Sequence, residues 1–320
     1  MDLIYTDANR VDQGVLSAYA FDLSFGAEEN DFEMILGADE PALEFGACAY
    51  IEGTEYGGIV DAKETSSDKG TITYTGRTWH GVLNSKVIQP DSGADYYVVS
   101  GDANTILATL INRLGLTGLF HAEEIASGIT VSSYQFNRYC AAYDGIRAML
   151  ADVGAKLKIV WQDRAVYLSA EHITDYTSNP VDGDTASITV EQHGKKVNHL
   201  ICLGKGDLAE REVIHLYADA SGNISETQYY TGIDEIAAVY DYSNVESSAE
   251  LRSSGKSRLK ELRDSDTAEI CLFESDQVYD IGDIVGATDI NTGVSVAAAV
   301  SQKIVRIENG AVNTEYQTGG

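Results

Sequence analysis

The chain has 320 residues, and its 22 Lys and Arg stand against 50 Asp and Glu, a net charge of −28. So acidic a balance excludes a specific nucleic-acid groove, which needs clustered basic side chains, and docking on an anionic membrane surface. Hydrophobic residues make up 44% of the chain, as in ordinary globular proteins, and the length predicts about two domains. No stretch reaches the length of a membrane span, and the N-terminus shows no signal peptide.

The cysteines and histidines point to neither a metal nor a cofactor. Cys48, Cys140, Cys202 and Cys271 are far apart and form no CxxC pair, and each has apolar neighbours. Buried free thiols are expected. The six histidines show no metal-binding spacing on a helix, and the pair formed by His193 and His199 flanks a predicted turn.

Residues 1–95 read as short strands separated by Gly-rich turns. Ser17–Phe25 alternates, which places Tyr19, Phe21, Leu23 and Phe25 on one face. This pattern is typical of a small barrel or a sandwich. We predict a first β-barrel domain here, with a boundary at the turn that follows Pro90.

Residues 96–170 predict an α+β insert domain. Asp102 is placed to cap a helix that ends at Gly115, and a second helix ends at Gly154. A hairpin then joins Leu157–Trp161 to Ala165–Leu168. The first helix carries a core-facing stripe formed by Ile106, Leu107, Leu110, Ile111 and Leu114.

Residues 171–320 predict a second β-barrel domain, with a helix-containing appended domain at about 240–270. The strongest hairpin signal is Asn309-Gly310 near the end. The fold class is therefore α+β and β-rich, with two small β-barrels and two α+β appended domains. The helix, about Ser248–Asp264, carries the densest basic run. That run is either a solvated face or an electrostatic patch between subunits, and it consists of Lys256, Arg258, Lys260 and Arg263.

The acidic residues concentrate at the N-terminal end. Residues 1–62 hold fourteen acids and one base, a net of 1 − 14 = −13. This bias serves solubility, or it repels a polyanion from the lumen of a DNA-conducting tube. The densest acids are Glu28, Glu29, Asp31, Asp39 and Glu40.

Catalytic motifs are absent from the sequence. There is no GxSxG nucleophile elbow and no phosphate-binding loop. The pairs Glu28-Glu29 and Asp39-Glu40 are not set in apolar surroundings that would raise one pKa, as a glycosidase requires. We therefore expect no enzyme and no catalytic, cofactor-binding or metal-binding residues.

Two segments of the chain carry a recognisable pattern. The first is Thr73–Ile88, a strand ending in Gly-Arg, then an aromatic and a short apolar segment. The second is the ending formed by Tyr279–Gly286 and Lys303–Gly310. Both resemble the tail-hub proteins of tailed bacteriophages, which are siphophage-type tail-associated proteins related in fold to the baseplate hubs of contractile tails. The predicted layout of barrels and inserts matches the family over the full length.

The resemblance implies a structural virion protein without catalytic residues. Three copies would form a ring at the distal end of the tail tube, as a channel for DNA passage during ejection. The partners implied are a second and third copy, the tail tube or distal tail ring, the tape measure protein, and tail fibre, spike or receptor-binding proteins. The protein would be made in the host bacterial cytoplasm and located at the tail tip or baseplate of the virion, where it would contribute to host-cell attachment.

The sequence carries two further expectations about function. The chain stops just after its last predicted strand, so any wall-degrading activity is expected on another polypeptide. The alternative function is a virion-borne or extracellular β-rich module that binds glycan or receptor, with aromatic loops that stack on sugars. Its candidate residues are Tyr229, Tyr230, Tyr240 and Tyr242.

Overall fold

A computed structural model describes residues 1–37, 39–66, 68–181, 186–191, 196–245, 247–263, 267–273, 277–289, 292–308 and 310–319. The chain divides into two units, Met1–Ile188 with Glu269–Gly320, and Thr189–Ala268. The architecture is α+β and β-rich, as expected. The domain boundaries predicted at residues 95 and 170 stay a prediction.

The first unit begins with seven strands and a short helix. They are β1 (Leu3–Thr6), β2 (Asp12–Leu16), β3 (Tyr19–Gly26), β4 (Asp31–Gly37), β5 (Cys48–Tyr50), β6 (Gly57–Ser66), β7 (Thr71–Thr78) and α1 (Trp79–Asn84). The chain continues as β8 (Val87–Ile88) and then enters the predicted insert with β9 (Val98–Asp102), α2 (Ala103–Arg113), β10 (Phe120–Ala122), β11 (Thr130–Gln135), β12 (Cys140–Ala141), α3 (Ala142–Ala151), β13 (Ala155–Gln162) and β14 (Ala165–His172).

The remaining elements include those of the second unit. The chain continues through β15 (Ala186–Glu191), β16 (His199–Leu203), β17 (Val213–Ala218), β18 (Ile224–Ser225), β19 (Ala237–Asp241) and α4 (Ser248–Arg263). It ends with β20 (Thr267–Leu272), β21 (Ile284–Thr288), β22 (Ser295–Glu308) and β23 (Ala311–Thr318). Single 3₁₀ turns lie at Leu208–Glu210 and Gly232–Asp234.

One large sheet organises the first unit, in the order β15-β20-β23-β22-β3-β4-β7-β6-β5-β1-β2, with β21 on β22. Among the described residues this pairing does not close on itself, so the two barrels stay a prediction. The alternation in β3 and β4 sets the register, because Phe21 lies opposite Met34 and Leu23 opposite Phe32 on the buried face.

The insert has its own three-stranded sheet, β10-β14-β13, and its core continues into the large sheet. Trp161 of β13 stacks on Tyr50 of β5 at 4.2 Å and on Trp79 of α1 at 4.9 Å, measured between ring centroids. The α1 helix was expected only as an apolar segment. It forms because the Thr78 side chain caps it by accepting from the Gly81 amide.

The predicted helices of the insert are confirmed. Asp102 accepts from the amides of Asn104 and Thr105 at the start of α2, and Gly115 beyond its end has a φ of +70°. Gly154 follows α3 with a φ of +68°. Such left-handed positions favour glycine and end a helix.

The second unit pairs four strands in the order β18-β17-β16-β19, with α4 against one face. The helix side contributes Leu251 and Leu259, which pack with Leu200, Cys202 and Leu216 of the sheet. Apolar residues spaced for one helix face therefore build this core. The last residue of the predicted helix, Asp264, lies outside the described residues.

One expectation about the cysteines is corrected. All four thiols are free, but only Cys48 and Cys202 are buried, whereas Cys140 and Cys271 are half-buried. Cys140 lies in a strand of two residues, which covers less surface than a central strand. Burial raises the pKa of the Cys48 thiol to about 11, so it is inert at neutral pH.

Two predictions touch residues outside the described set. Asn309 of the predicted hairpin is one of them, but the strands it joins pair as expected, with Glu308 opposite Ala311. His193 is the other, so the His193–His199 spacing is not tested. No group of three or more metal-ligating side chains occurs in the described part of the chain.

Candidate functional site

The predicted acidic residues separate into two groups. Glu28 and Glu29 lie exposed in the turn between β3 and β4, and Asp31 begins β4. Asp39 and Glu40 follow the other end of that strand, which is about 20 Å away at the usual rise of a strand. The turn is held to β22 because the Glu28 amide donates to the Gln302 side chain at 3.0 Å. No single acidic cluster forms.

Glu40 has a structural contact of its own. The Ser17 hydroxyl donates to Glu40 Oε1 at 2.6 Å, and the Ala18 amide donates to the same oxygen at 2.9 Å. The Ser17 hydrogen bond lowers the pKa of Glu40, so the carboxylate is ionised at neutral pH. It braces the connection between β2 and β3.

The exposed face of the large sheet carries a different acidic set. Here Asp22 of β3 lies directly opposite Glu33 of β4, and on its other side Asp22 lies opposite Arg306 of β22. Partial burial raises the pKa of Asp22, Arg306 opposes this shift, and Glu308 adds to it. We call this surface the outer face, and it consists of Asp22, Asp31, Glu33, Arg306 and Glu308.

One pair of residues on the outer face is unfavourable for stability. Like charges directly opposite across an antiparallel pair are destabilising, and Asp22 and Glu33 form such a pair. Sequence reasoning counted these acids but missed their shared face. The alternation of β3 and β4 holds the signal, because it places the apolar residues inward and these carboxylates outward.

The basic run on α4 is divided between two roles. Lys256 and Lys260 are exposed and one turn apart, and Arg258 is exposed but bonds Glu261 of the same helix at 2.9 Å. Arg263 donates to the backbone carbonyls of Val197 at 3.2 Å and Asp219 at 3.4 Å, so it is held within the unit. Lys256 and Lys260 remain as the exposed patch.

The aromatic residues of the alternative function have structural contacts. Tyr240 and Tyr242 pack on the core beneath α4, and the Tyr242 hydroxyl donates to Glu250 at 2.8 Å. Tyr229 is exposed, and its hydroxyl lies 3.1 Å from that of Ser225. The rings of Tyr240 and Tyr242 lie 5.8 Å apart between centroids, and both are half-buried against this core.

A buried ion pair lies inside the first unit, and sequence analysis missed it. Lys303 is an inward-facing residue of β22, opposite Phe25, and it is 2% exposed. Its ammonium donates to Glu55 Oε1 at 2.6 Å. His80 Nε2 lies 3.5 Å from the other oxygen of Glu55, and the imidazole stacks on Phe25 with centroids 4.3 Å apart.

The charges in this pair shift one another. Burial alone would raise the pKa of Glu55, but the Lys303 ammonium and His80 hold it well below its usual range. Burial alone would lower the pKa of Lys303, and Glu55 raises it instead. Burial lowers the pKa of His80, which favours the neutral imidazole.

A second set of ion pairs joins the insert to the chain end. Lys156 of β13 donates to Asp280 at 2.8 Å and to both oxygens of Asp283 at 2.8 and 2.9 Å. Lys158 donates to Asp280 at 2.8 Å, and Asp283 also accepts from the Thr174 amide. Asp280 and Asp283 belong to the ending that carries the family resemblance, so this motif fixes the insert against the last strands.

The two sets line one pocket of about 200 Å³, to which Glu55, Asp280, Lys158 and Lys303 contribute. Although burial opposes it, the lysines also hold the pKa of Asp280 below its usual value. The carboxylates of Glu55 and Asp280 are therefore ionised at neutral pH. Neither supplies the proton that a glycosidase general acid must donate. The arrangement joins three distant segments of the chain.

Comparison with known proteins places this fold. No family model and no curated protein matches the chain. A tail protein from Neisseria meningitidis MC58 matches with a TM-score of 0.54 and 13% identity, over 100% of this chain and 96% of that one.

Two prophage proteins are equally similar. The 43 kDa tail protein of prophage MuSo2 from Shewanella oneidensis matches with a TM-score of 0.56 and 13% identity, over 99% of this chain and 98% of that one. Prophage tail protein gp18 from Listeria monocytogenes EGD-e matches with a TM-score of 0.55 and 14% identity, over 99% and 94%. The suspected resemblance is thus confirmed at the level of the fold. Within the described residues, no helix is both long and apolar enough to cross a membrane.

Proposed function

We propose that this chain is a structural subunit of a phage tail, and that three copies form a hub ring at the distal end of the tail tube. The observation that carries the proposal is a fold shared, end to end, with tail proteins of similar length. The large sheet would supply the two barrels of each subunit. Likeness of fold is an analogy, so the role needs its own test.

The outer face suits the lumen of such a ring. Asp22, Asp31, Glu33 and Glu308 outnumber Arg306 and Arg77, and Arg77, opposite Asp31, is paired with Asp61. The surface would therefore repel the phosphates of a passing DNA duplex. The unfavourable pairing of Asp22 with Glu33 is explained if selection acts on charge here rather than on stability. The acids at Glu28 and Glu29 would lie at the rim.

The proposed partners are the tail tube or distal tail ring, the tape measure protein, and fibre, spike or receptor-binding proteins. Its role would be scaffold and channel rather than catalysis, at the tail tip or baseplate of the virion. Lys256 and Lys260 offer a cationic contact for a neighbouring acidic subunit. The charge of −28 makes such a contact valuable, because like-charged copies repel.

The test is the mass of the purified protein by light scattering over a range of concentrations, with electron microscopy of the particles. We expect a closed trimer with a central hole wide enough for a DNA duplex, and antibody labelling at the tip of phage tails. A protein that never forms trimers and an antibody that never labels tails would together overturn the proposal.

The basic patch is tested by charge reversal. Lys256→Glu with Lys260→Glu is expected to weaken assembly. Lys63→Glu with Lys69→Glu is the control matched in charge, because both lysines are exposed in the other unit. Equal assembly of both variants would remove the patch from the proposal while leaving the hub itself in place.

A further inference from the structure

An exposed leucine marks the loop between β16 and β17. Leu208 is 97% exposed and has a φ of +49°, a left-handed conformation that leucine rarely adopts. The ends of the loop are tied together, because the Gly204 amide donates to the Glu212 carbonyl and the Glu212 amide donates to the Lys205 carbonyl, both at 2.8 Å. A strained, fully exposed apolar residue on a closed loop indicates a contact surface.

The charges around Leu208 are acidic at the tip. Asp207 and Glu210 are both exposed beside it. Arg211 donates to the Gly204 carbonyl at 3.0 Å and pairs with Asp241, so this base is used within the unit. The tip therefore presents one apolar side chain between two carboxylates.

A groove of about 410 Å³ lies in the first unit, between α3, β13 and β22. Its walls are largely apolar, and the small side chains of Ala148, Ala151 and Ala155 lie beside the larger Ile281 and Val300. Such a volume holds a leucine side chain and part of the neighbouring backbone. Small residues around an apolar groove leave space that a side chain from outside can fill.

The lining of the groove includes one arginine, Arg147. Arg147 is half-buried there, with its guanidinium 5.3 Å from the centroid of the Tyr143 ring, and it makes no ion pair with any described residue. Lys156 also lines the groove, but its ammonium is bonded to Asp280 and Asp283. Asp144 is the one acid of the lining, which leaves Arg147 as the group able to receive a carboxylate.

We propose that Leu208 of one copy inserts into this groove on a second copy, with Asp207 or Glu210 against Arg147. The inference rests on the proposed hub, because it supplies the contact between copies. Two different surfaces meet, so the contact is heterologous, and such contacts generate rings when the rotation closes. A complementary charge and a filled apolar groove would offset the repulsion between acidic copies.

The first test compares association constants of purified variants by analytical ultracentrifugation. Leu208→Asp is expected to weaken association by about ten-fold or more, because it places a charge in an apolar site. The matched control is Ile233→Asp, since Ile233 is 88% exposed in another loop of the same unit. Equal effects of the two variants would overturn the inference.

The second test identifies the site directly. Unlabelled and ¹⁵N-labelled protein, both carrying a photoreactive amino acid at position 208, are mixed and irradiated. The crosslinked peptides are then sequenced by mass spectrometry. The expected product joins position 208 to residues 144–157, 281–282 or 299–301 of a different copy. Links within one copy, to another protein or to another surface would overturn the inference.

The failure of this contact differs from failure of the hub. Trimers that persist in Leu208→Asp contradict the groove contact alone. A wild-type protein that neither associates nor crosslinks between copies also contradicts the groove contact. Antibody labelling of tail tips tests the proposed hub independently of that contact. Arg147→Glu is expected to weaken association, and Asp207→Arg with Glu210→Arg is expected to restore it.

Discussion

Lys303 lies on the buried face of β22, where an unpaired ammonium would be strongly unfavourable. Glu55 and His80 come from two other parts of the first unit and meet it there. A buried pair of this kind contributes little net stability compared with apolar residues, but its rupture is costly because one charge is left alone. Its effect is to specify which segments meet.

Removal of the ammonium should therefore be severe. Lys303→Met is expected to lower the free energy of unfolding by about 3–5 kcal/mol, since Glu55 loses its counter-ion. Urea denaturation measures this. Arg306→Met, on the exposed side of the same strand, should change stability by less than about 0.5 kcal/mol. Adding Glu55→Gln to Lys303→Met should restore most of the loss, and no restoration would contradict this explanation.

The histidine adds a pH dependence. Because the folded pKa of His80 lies below its unfolded value, the unfolded chain takes up the proton first as pH falls. Its contribution is present above the unfolded pKa of about 6.5 and is lost below that value. Thermal unfolding from pH 8 to pH 5 should show this loss.

His80→Gln should flatten the pH curve. The control is His121→Gln, because His121 is exposed on β10, and it should leave the slope of the wild type unchanged. A wild-type slope that survives in His80→Gln would assign the pH dependence to another group.

At the scale of elements, close packing between α4 and its sheet depends on a glycine. A Cβ on Gly255 would lie 2.5 Å from Cys202 Sγ and 2.8 Å from Leu216 Cδ1. Alanine is the better helix former by about 1 kcal/mol, but overpacking of a core costs about 1–3 kcal/mol. Close packing therefore favours glycine at position 255, although alanine has the higher helix propensity.

Gly255→Ala should thus destabilise the second unit by about 1–2 kcal/mol, despite its higher helix propensity. Ser253→Ala, on the exposed side of α4, should be neutral or slightly stabilising. Hydrogen exchange of the α4 amides measures both. Stabilisation by Gly255→Ala would show that the helix can move away from the sheet at little cost.

At the scale of the whole molecule, net charge opposes assembly. Copies of charge −28 repel, and salt screens that repulsion over a Debye length of about 10 Å at 0.1 M. Raising the salt from about 50 mM to about 500 mM should increase the fraction of protein in the proposed trimer at fixed protein concentration. Light scattering measures this. A fall in trimer fraction with salt would mean that local ion pairs outweigh the overall repulsion.

Local patterns in the sequence determined much of this protein. Period-2 alternation predicted β3, and the cap at Asp102 and the glycines at 115 and 154 bounded two helices. The apolar spacing identified the buried face of the first of them. The residues of the closing motif pointed to the family fold. These features depend on residues close together in the chain, where spacing and backbone preference are sufficient.

Tertiary structure decided the contacts between distant residues. Lys303 meets Glu55 across 248 positions, and Lys156 meets Asp283 across 127. The fold also places Asp31 and Asp39 at opposite ends of β4 and sets Asp22 opposite Glu33 on the neighbouring strand. It holds the Arg263 side chain inside the second unit. A single sequence does not reveal such partners, because the pairing of strands and the burial of a charge depend on the whole fold and not on neighbours along the chain.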